Sequence, residues 1–296
     1  MNKTGYVSIF LCALLWSTSG LFIKLVDWHP MTIAGSRSLL AAIFLLALKF
    51  IPGKKNISGK KELLFAMIKE SPKLTLAGLC YAATMILFVI ANKLTAAANA
   101  IMLQYTAPIW AALFGWFFLK ERPRWEQWTA LVIVSLGMFF VFSGSLVSGS
   151  LKGDIIALIS GIAFAANTVV LRARKARNPA DILIFSHIMC FLFSIPFFFL
   201  YPPPISVLNL ACISFMGIFQ IGLASALFAY GISRVTAVQA MLTAAIEPVL
   251  NPVWVLLVTG EGPKSEVIAG GAVIIAAVVF SSVVSALREN KAVKIS

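Results

Sequence analysis

The chain has 296 residues, 60% of them hydrophobic and only 12% charged, with a mean hydropathy of +0.95. A soluble domain carries about 25% charged residues, so an ordinary soluble protein is excluded and a polytopic membrane protein is indicated. The formal net charge of +13 does not point to nucleic acid, because the Lys and Arg residues lie in loops between apolar runs, where membrane topology accounts for them.

In chain order, the apolar runs cover residues 5–25, 31–51, 74–92, 98–119, 127–145, 154–172, 181–201, 207–230, 238–259 and 266–287. Each is close to the ~20 residues that cross a ~30 Å hydrocarbon core, which predicts an all-α protein with ten transmembrane helices. Lys3 and the run after it superficially resemble a signal peptide, but the run is long enough to span and nine more follow; retention as the first helix is expected. Helix-ending chemistry marks the junctions: His29-Pro30, Pro52-Gly53, Ser71-Pro72, Arg122-Pro123, Asn178-Pro179 and Pro202-Pro203-Pro204. Residues 58–70, with Leu63, Leu64, Met67 and Ile68 among lysines, are either a helix lying on the membrane surface or a solvated loop.

An even number of spans puts both termini on one side. That side carries nineteen of the twenty-four Lys and Arg residues, so the positive-inside rule makes it cytoplasmic in a multi-pass cell-membrane protein. Cys12, Cys80, Cys190 and Cys212 all sit in apolar runs without CxxC or zinc-like spacing, and read as small core residues. With two histidines and no HExxH, GxSxG or GxxxxGK[ST], the sequence offers no enzyme constellation, ATP site, metal site or cofactor.

The halves repeat. Residues 16–24 (WSTSGLFIK) align with 164–172 (FAANTVVLR), Ser36-Arg37 with Ser186-His187, Asn99-Ala100 with Gln239-Ala240, and Pro108 with Pro248. Lys120-Glu121-Arg122-Pro123 falls on Gly260-Glu261-Gly262-Pro263. The expected organisation is two five-helix repeats, 1–147 and 148–296. Five is odd, so the second repeat enters the membrane inverted, an arrangement that usually serves alternating access around a midplane site.

Glu247 is the one acidic residue deep in a predicted span, about 13 Å from the cytoplasmic end at 1.5 Å per residue. A charge there costs roughly 2.5 to 3.5 kcal/mol on insertion scales and usually faces a bundle interior or watery cavity. Pro248 and Pro252 remove backbone donors beside it. Arg37 and His187 lie about 9 and 10 Å deep from opposite sides. Arg37 and Glu247 either hold the fold, by neutralising each other or by bonding to backbone freed by the prolines, or bind substrate; Glu247 would then take an ammonium group or a coupling proton. His187 is either a packing residue or part of a proton path. Further candidate substrate contacts are Trp16, Ser19, Tyr81, Gln104, Tyr105, Trp110, Asn167, Gln220 and Gln239, whose aromatic faces and amides suit cations and carboxylates. Trp125 and Trp128 read as interfacial anchors.

The sequence resembles the EamA-type members of the drug/metabolite transporter superfamily. The resemblance rests on Leu15-Trp16-Ser17-Thr18-Ser19-Gly20, on Arg37 followed by Ser38-Leu39-Leu40-Ala41-Ala42, on Pro108 through Lys120-Glu121-Arg122-Pro123, and on Glu247-Pro248-Val249 through Gly260-Glu261. It implies ten helices in two inverted repeats around a central cavity, with the fifth and tenth to one side. It also makes export the expected direction. The expected function is secondary transport of amino acids or similar zwitterions, with a small-molecule substrate and the lipid bilayer as partners and no nucleic acid. Proton-coupled uptake of an organic cation is the alternative, and a channel the rival class, distinguished by non-saturating flux. Gly137, Gly270 and Gly271 allow close packing within a monomer or between two copies.

Overall fold

A computed structural model describes residues 3–49, 71–146, 151–173, 179–260 and parts of 262–284. Residues 58–70, Glu261, Pro263 and the 147/148 boundary lie outside the described residues, and the tenth predicted helix is described only in part.

The described residues form helices joined by short turns. They are α1 (Lys3–Trp16), α2 (Ser19–Leu25), α3 (Pro30–Lys49), α4 (Ser71–Leu94), α5 (Ala97–Gln104), α6 (Ala107–Leu119) and α7 (Trp125–Leu146). There follow α8 (Leu151–Ala173), α9 (Pro179–Leu200), α10 (Val207–Phe215), a π-helical segment (Met216–Leu223), α11 (Ala224–Ile232), α12 (Ala237–Ala244) and α13 (Glu247–Thr259). Eight segments among the described residues are long and apolar enough to cross a membrane: Lys3–Leu25, Pro30–Lys49, Thr75–Leu94, Ala97–Leu119, Leu151–Ala173, Ala180–Leu200, Val207–Ile232 and Ala237–Thr259. With the further apolar helix α7, the fold is that of an all-α polytopic membrane protein.

Three spans that read as continuous in the sequence are broken near their centres. The first breaks at Ser17 and Thr18, whose hydroxyls donate back to the Leu14 and Leu15 carbonyls at 2.7 and 2.8 Å. The span α5–α6 breaks at Tyr105–Thr106 before Pro108, and α12–α13 at Ala245–Ile246 before Pro248. Proline lacks an N–H and clashes with the preceding turn, which is why these last two breaks fall just upstream of one. The two spans also end alike, with Lys120 (φ 57°) and Gly260 (φ 74°) in the left-handed conformation that terminates helices.

Packing is reciprocal. α4 lies along α8 as α11 lies along α1, and α3 packs on the π segment as α9 packs on α4. Small residues permit these crossings: a Cβ on Gly217 would clash with Leu40 Cβ, and one on Gly161 would come 2.5 Å from the Gln104 carbonyl oxygen. Some buried polar groups are paired between helices, as in Ser8 Oγ donating to the Leu227 carbonyl and Thr95 Oγ1 to Asp154, at 2.8 and 2.9 Å.

Candidate substrate cavity

The broken spans meet at the centre of the bundle and leave a cavity there. Trp16, Ser19, Arg37, Thr84, Met85, Phe88, Gln104, Phe164, Gln220, Ile221 and Glu247 line it; the empty space among them is about 350 Å³, counted together with its opening. Trp16 packs edge-on against Phe164, with ring centroids 5.7 Å apart, and beside Phe228 at 5.2 Å.

Arg37 is 1% exposed, yet only one of its nitrogens has a protein partner. Nη2 donates to the Met85 carbonyl at 3.3 Å and lies 3.6 Å from the Met85 sulfur, while Nε and Nη1 are buried without hydrogen-bond partners. Gln220 Oε1, on the π segment, is likewise buried and unpartnered. Unsatisfied buried groups are costly, and a guanidinium more than an amide, so their convergence on one cavity points to a ligand or admitted water that completes them.

Glu247 opens α13, where the helix dipole favours a negative group. One oxygen lies 2.7 Å from the Tyr105 hydroxyl, which is also 2.7 Å from the Ala244 carbonyl. Glu247 and Arg37 share the cavity but form no ion pair with each other. One turn beyond Glu247, Asn251 Nδ2 donates to Ser19 Oγ at 3.3 Å, and Trp254 Nε1 donates to Ser17 Oγ at 2.9 Å, fixing the first broken span on α13.

Six residues singled out in the sequence therefore line one cavity: Trp16, Ser19, Arg37, Gln104, Gln220 and Glu247. Gln104 is held by its amide, which donates to Ser160 Oγ at 2.7 Å. Five others lie elsewhere. Tyr81 and His187 pack edge to face, with Tyr81 Oη 3.1 Å and Ser225 Oγ 3.0 Å from His187 Nε2. Gln239 caps α12 in a reciprocal box with Thr236, which satisfies its half-buried amide without a ligand. Trp110 packs beside Phe114, and Asn167 is buried in α8 outside the cavity lining. Met85, Phe88, Phe164 and Ile221 were missed, since single apolar residues in apolar helices carry no periodic or polar signal; Thr84 was missed because a lone threonine in a helix bonds back to its own backbone, here the Cys80 carbonyl at 2.7 Å. Asn251, one turn from Glu247, did offer a signal.

Both ends of the bundle are tied. At the end bearing the chain's amino terminus, Arg172 Nε donates to Glu121 at 2.8 Å and Nη1 reaches the Ile232 and Ser233 carbonyls, and Lys49 pairs with Asp181 at 2.7 Å. At the other end Trp28 Nε1 donates to the Pro204 carbonyl at 2.8 Å, and Lys93 Nζ to the Val26 carbonyl at 2.7 Å.

Apolar helices long enough to span a bilayer, packed around a cavity with polar walls, define a class, that of polytopic membrane proteins. The sequence model of the EamA-like transporter family matches residues 3–143 and again 151–283, and the chain belongs to that family. Among relatives, an uncharacterized transporter of Clostridium kluyveri is 24% identical over 98% of this chain and 95% of its own length. The uncharacterized transporter YwfM of Bacillus subtilis is 27% identical, over 58% of this chain and 56% of its own length. Human solute carrier family 35 member G1 is 25% identical over 59% of this chain and 49% of its own length, so the chain matches about half the length of these last two. One solved crystal structure shares the fold, with a TM-score of 0.76 and 18% identity over 98% of this chain and all of that one.

Proposed function

We propose that this EamA-type transporter moves small zwitterionic metabolites, amino acids in the first place, and exports them across the cytoplasmic membrane by alternating access without ATP. The observation that carries this reading is the pairing of an unneutralised base, Arg37, with an acid, Glu247, on the walls of one cavity. A guanidinium with free N–H groups suits a carboxylate, and a buried carboxylate suits an ammonium group. Each of the two family matches is taken as one five-helix repeat, the second inverted; the similar breaks and ends of α5–α6 and α12–α13 support this. Both termini are assigned to the cytoplasm on the charge of the loops. The working unit is a monomer or homodimer that needs no cofactor.

The test is uptake of labelled amino acids into proteoliposomes in the presence of excess unlabelled substrate. Saturable counterflow supports a transporter; flux that never saturates supports a channel. A second reading, proton-coupled uptake of an organic cation, is favoured by Trp16, Phe88 and Phe164 flanking the cavity that holds Glu247. Counterflow driven by quaternary amines and not by amino acids would select it.

A further inference from the structure

Glu247 and Ala244 share one donor. Pro248 has no N–H, so the Ala244 carbonyl loses the partner that a regular α-helix would supply from four residues on. The Tyr105 hydroxyl stands in for it at 2.7 Å, from the corresponding break in the span α5–α6. The same hydroxyl is 2.7 Å from Glu247 Oε2, and it has one proton to give.

We infer that Tyr105 ties the charge of Glu247 to the break between α12 and α13. When the carboxyl is protonated, its O–H donates to Tyr105 Oη and Tyr105 donates to the Ala244 carbonyl, so all three groups are satisfied. When the carboxyl is ionised, Tyr105 turns its proton to the stronger, charged acceptor and the Ala244 carbonyl is left open. Loss of the proton therefore loosens the break, and its return closes it. The break joins the two halves of a membrane span, which makes it a hinge for exposing the cavity to one side or the other.

The surroundings of Glu247 leave this relay as the local proton device. From α1 the Cys12 thiol faces the carboxyl, from α5 the Tyr105 phenol, and across the cavity from α3 the Arg37 guanidinium; α2 contributes Lys24 only, at its far end. Arg37 makes no ion pair with Glu247, so the phenol is the polar group in hydrogen-bond contact with the acid.

The inference rests on the transport reading only for what the hinge serves, and it is tested without transport. Amide hydrogen exchange of peptides covering residues 242–250 is followed against pH in the purified full chain, corrected for intrinsic exchange rates. The wild type is expected to lose about threefold to tenfold in protection in a single one-proton step as pH rises, the equilibrium weight of one hydrogen bond. Glu247→Gln, whose amide can donate to Tyr105 Oη as the neutral acid does, should stay protected at every pH. Tyr105→Phe should be unprotected at every pH. A wild-type step persisting in Tyr105→Phe, or an unprotected Glu247→Gln, overturns the relay. If Tyr105→Phe does not fold, Glu247→Gln still decides it. A clear step in a protein that fails the counterflow test upholds the relay and removes the transport reading.

Discussion

Arg37 and Glu247 line the same buried cavity and leave each other unpaired. For a structural ion pair this arrangement is wasteful, since an unpaired buried charge costs several kcal/mol. For a site that must take a zwitterion it is what the chemistry needs. Replacing Arg37 with Met is therefore expected to raise the stability of the empty protein, by roughly 1 to 4 kcal/mol, while removing recognition of a carboxylate. Thermal unfolding of Arg37→Met checks the first part; a strongly destabilised variant would show that Arg37 holds the fold.

Two glycines separate close packing from open space. A Cβ at Gly161 would meet the Gln104 carbonyl oxygen at 2.5 Å, a backbone atom that cannot turn away, whereas a Cβ at Gly115 meets nothing within 4 Å. Gly161→Ala is expected to destabilise by about 1 to 3 kcal/mol through forced separation of α8 from the α5–α6 break. Gly115→Ala is expected to be neutral or to stabilise by roughly 0.5 to 1 kcal/mol through helix propensity. Paired melting curves test both.

Lys120 holds a left-handed conformation (φ 57°) at the position where the second half uses Gly260 (φ 74°). A side chain there costs about 1 to 2 kcal/mol. Lys120→Gly should recover part of that and raise the melting temperature, and Gly260→Lys should lower it by a similar amount.

His29 lies in the loop between α2 and α3, stacked on Tyr201 with ring centroids 4.3 Å apart, and its Nδ1 accepts from the Met31 N–H at 3.3 Å. Burial holds its imidazole below the ordinary histidine range. For a base, a lowered folded value means that the neutral form is favoured in the fold. Its stabilising contribution is present above the unfolded value of about 6.5 and is lost as pH falls through the lower folded value. An NMR titration of the His29 ring, assigned with His29→Gln, should give a midpoint below about 6.5; a midpoint at or above that value would contradict the stacked, accepting geometry.

Much of this fold was legible because a bilayer imposes a length on each helix and prolines mark junctions between spans. The spans and the similarity of Pro108 to Pro248 follow from residue type and spacing, whereas the gathering of polar groups around a central cavity was implied by the family resemblance. What was not legible has physical causes as well. The break at Ser17–Thr18 contains no proline and rests on hydroxyls bonding back to carbonyls, which serines and threonines in many straight helices also do. The π-helical turn that carries Gln220 shifts side-chain register without a marker residue. Gln239 had the residue type of a ligand contact, and a helix cap took it instead. Arg37 and Glu247 sit at depths that allow an approach, but depth along two helices does not fix their separation across a cavity.

The most direct test of the central claim is ligand-induced thermal stabilisation of the purified protein, screened with amino acids, their decarboxylated amines and their amino-blocked acids, in wild type, Arg37→Met and Glu247→Gln. A ligand at a hundred times its dissociation constant adds about 2.7 kcal/mol. The wild type should be stabilised by ligands bearing both charged ends and by neither single-ended series, with the effect lost in both variants. Stabilisation by amines alone, abolished in Glu247→Gln and retained in Arg37→Met, would contradict zwitterion recognition and assign the cavity to cations.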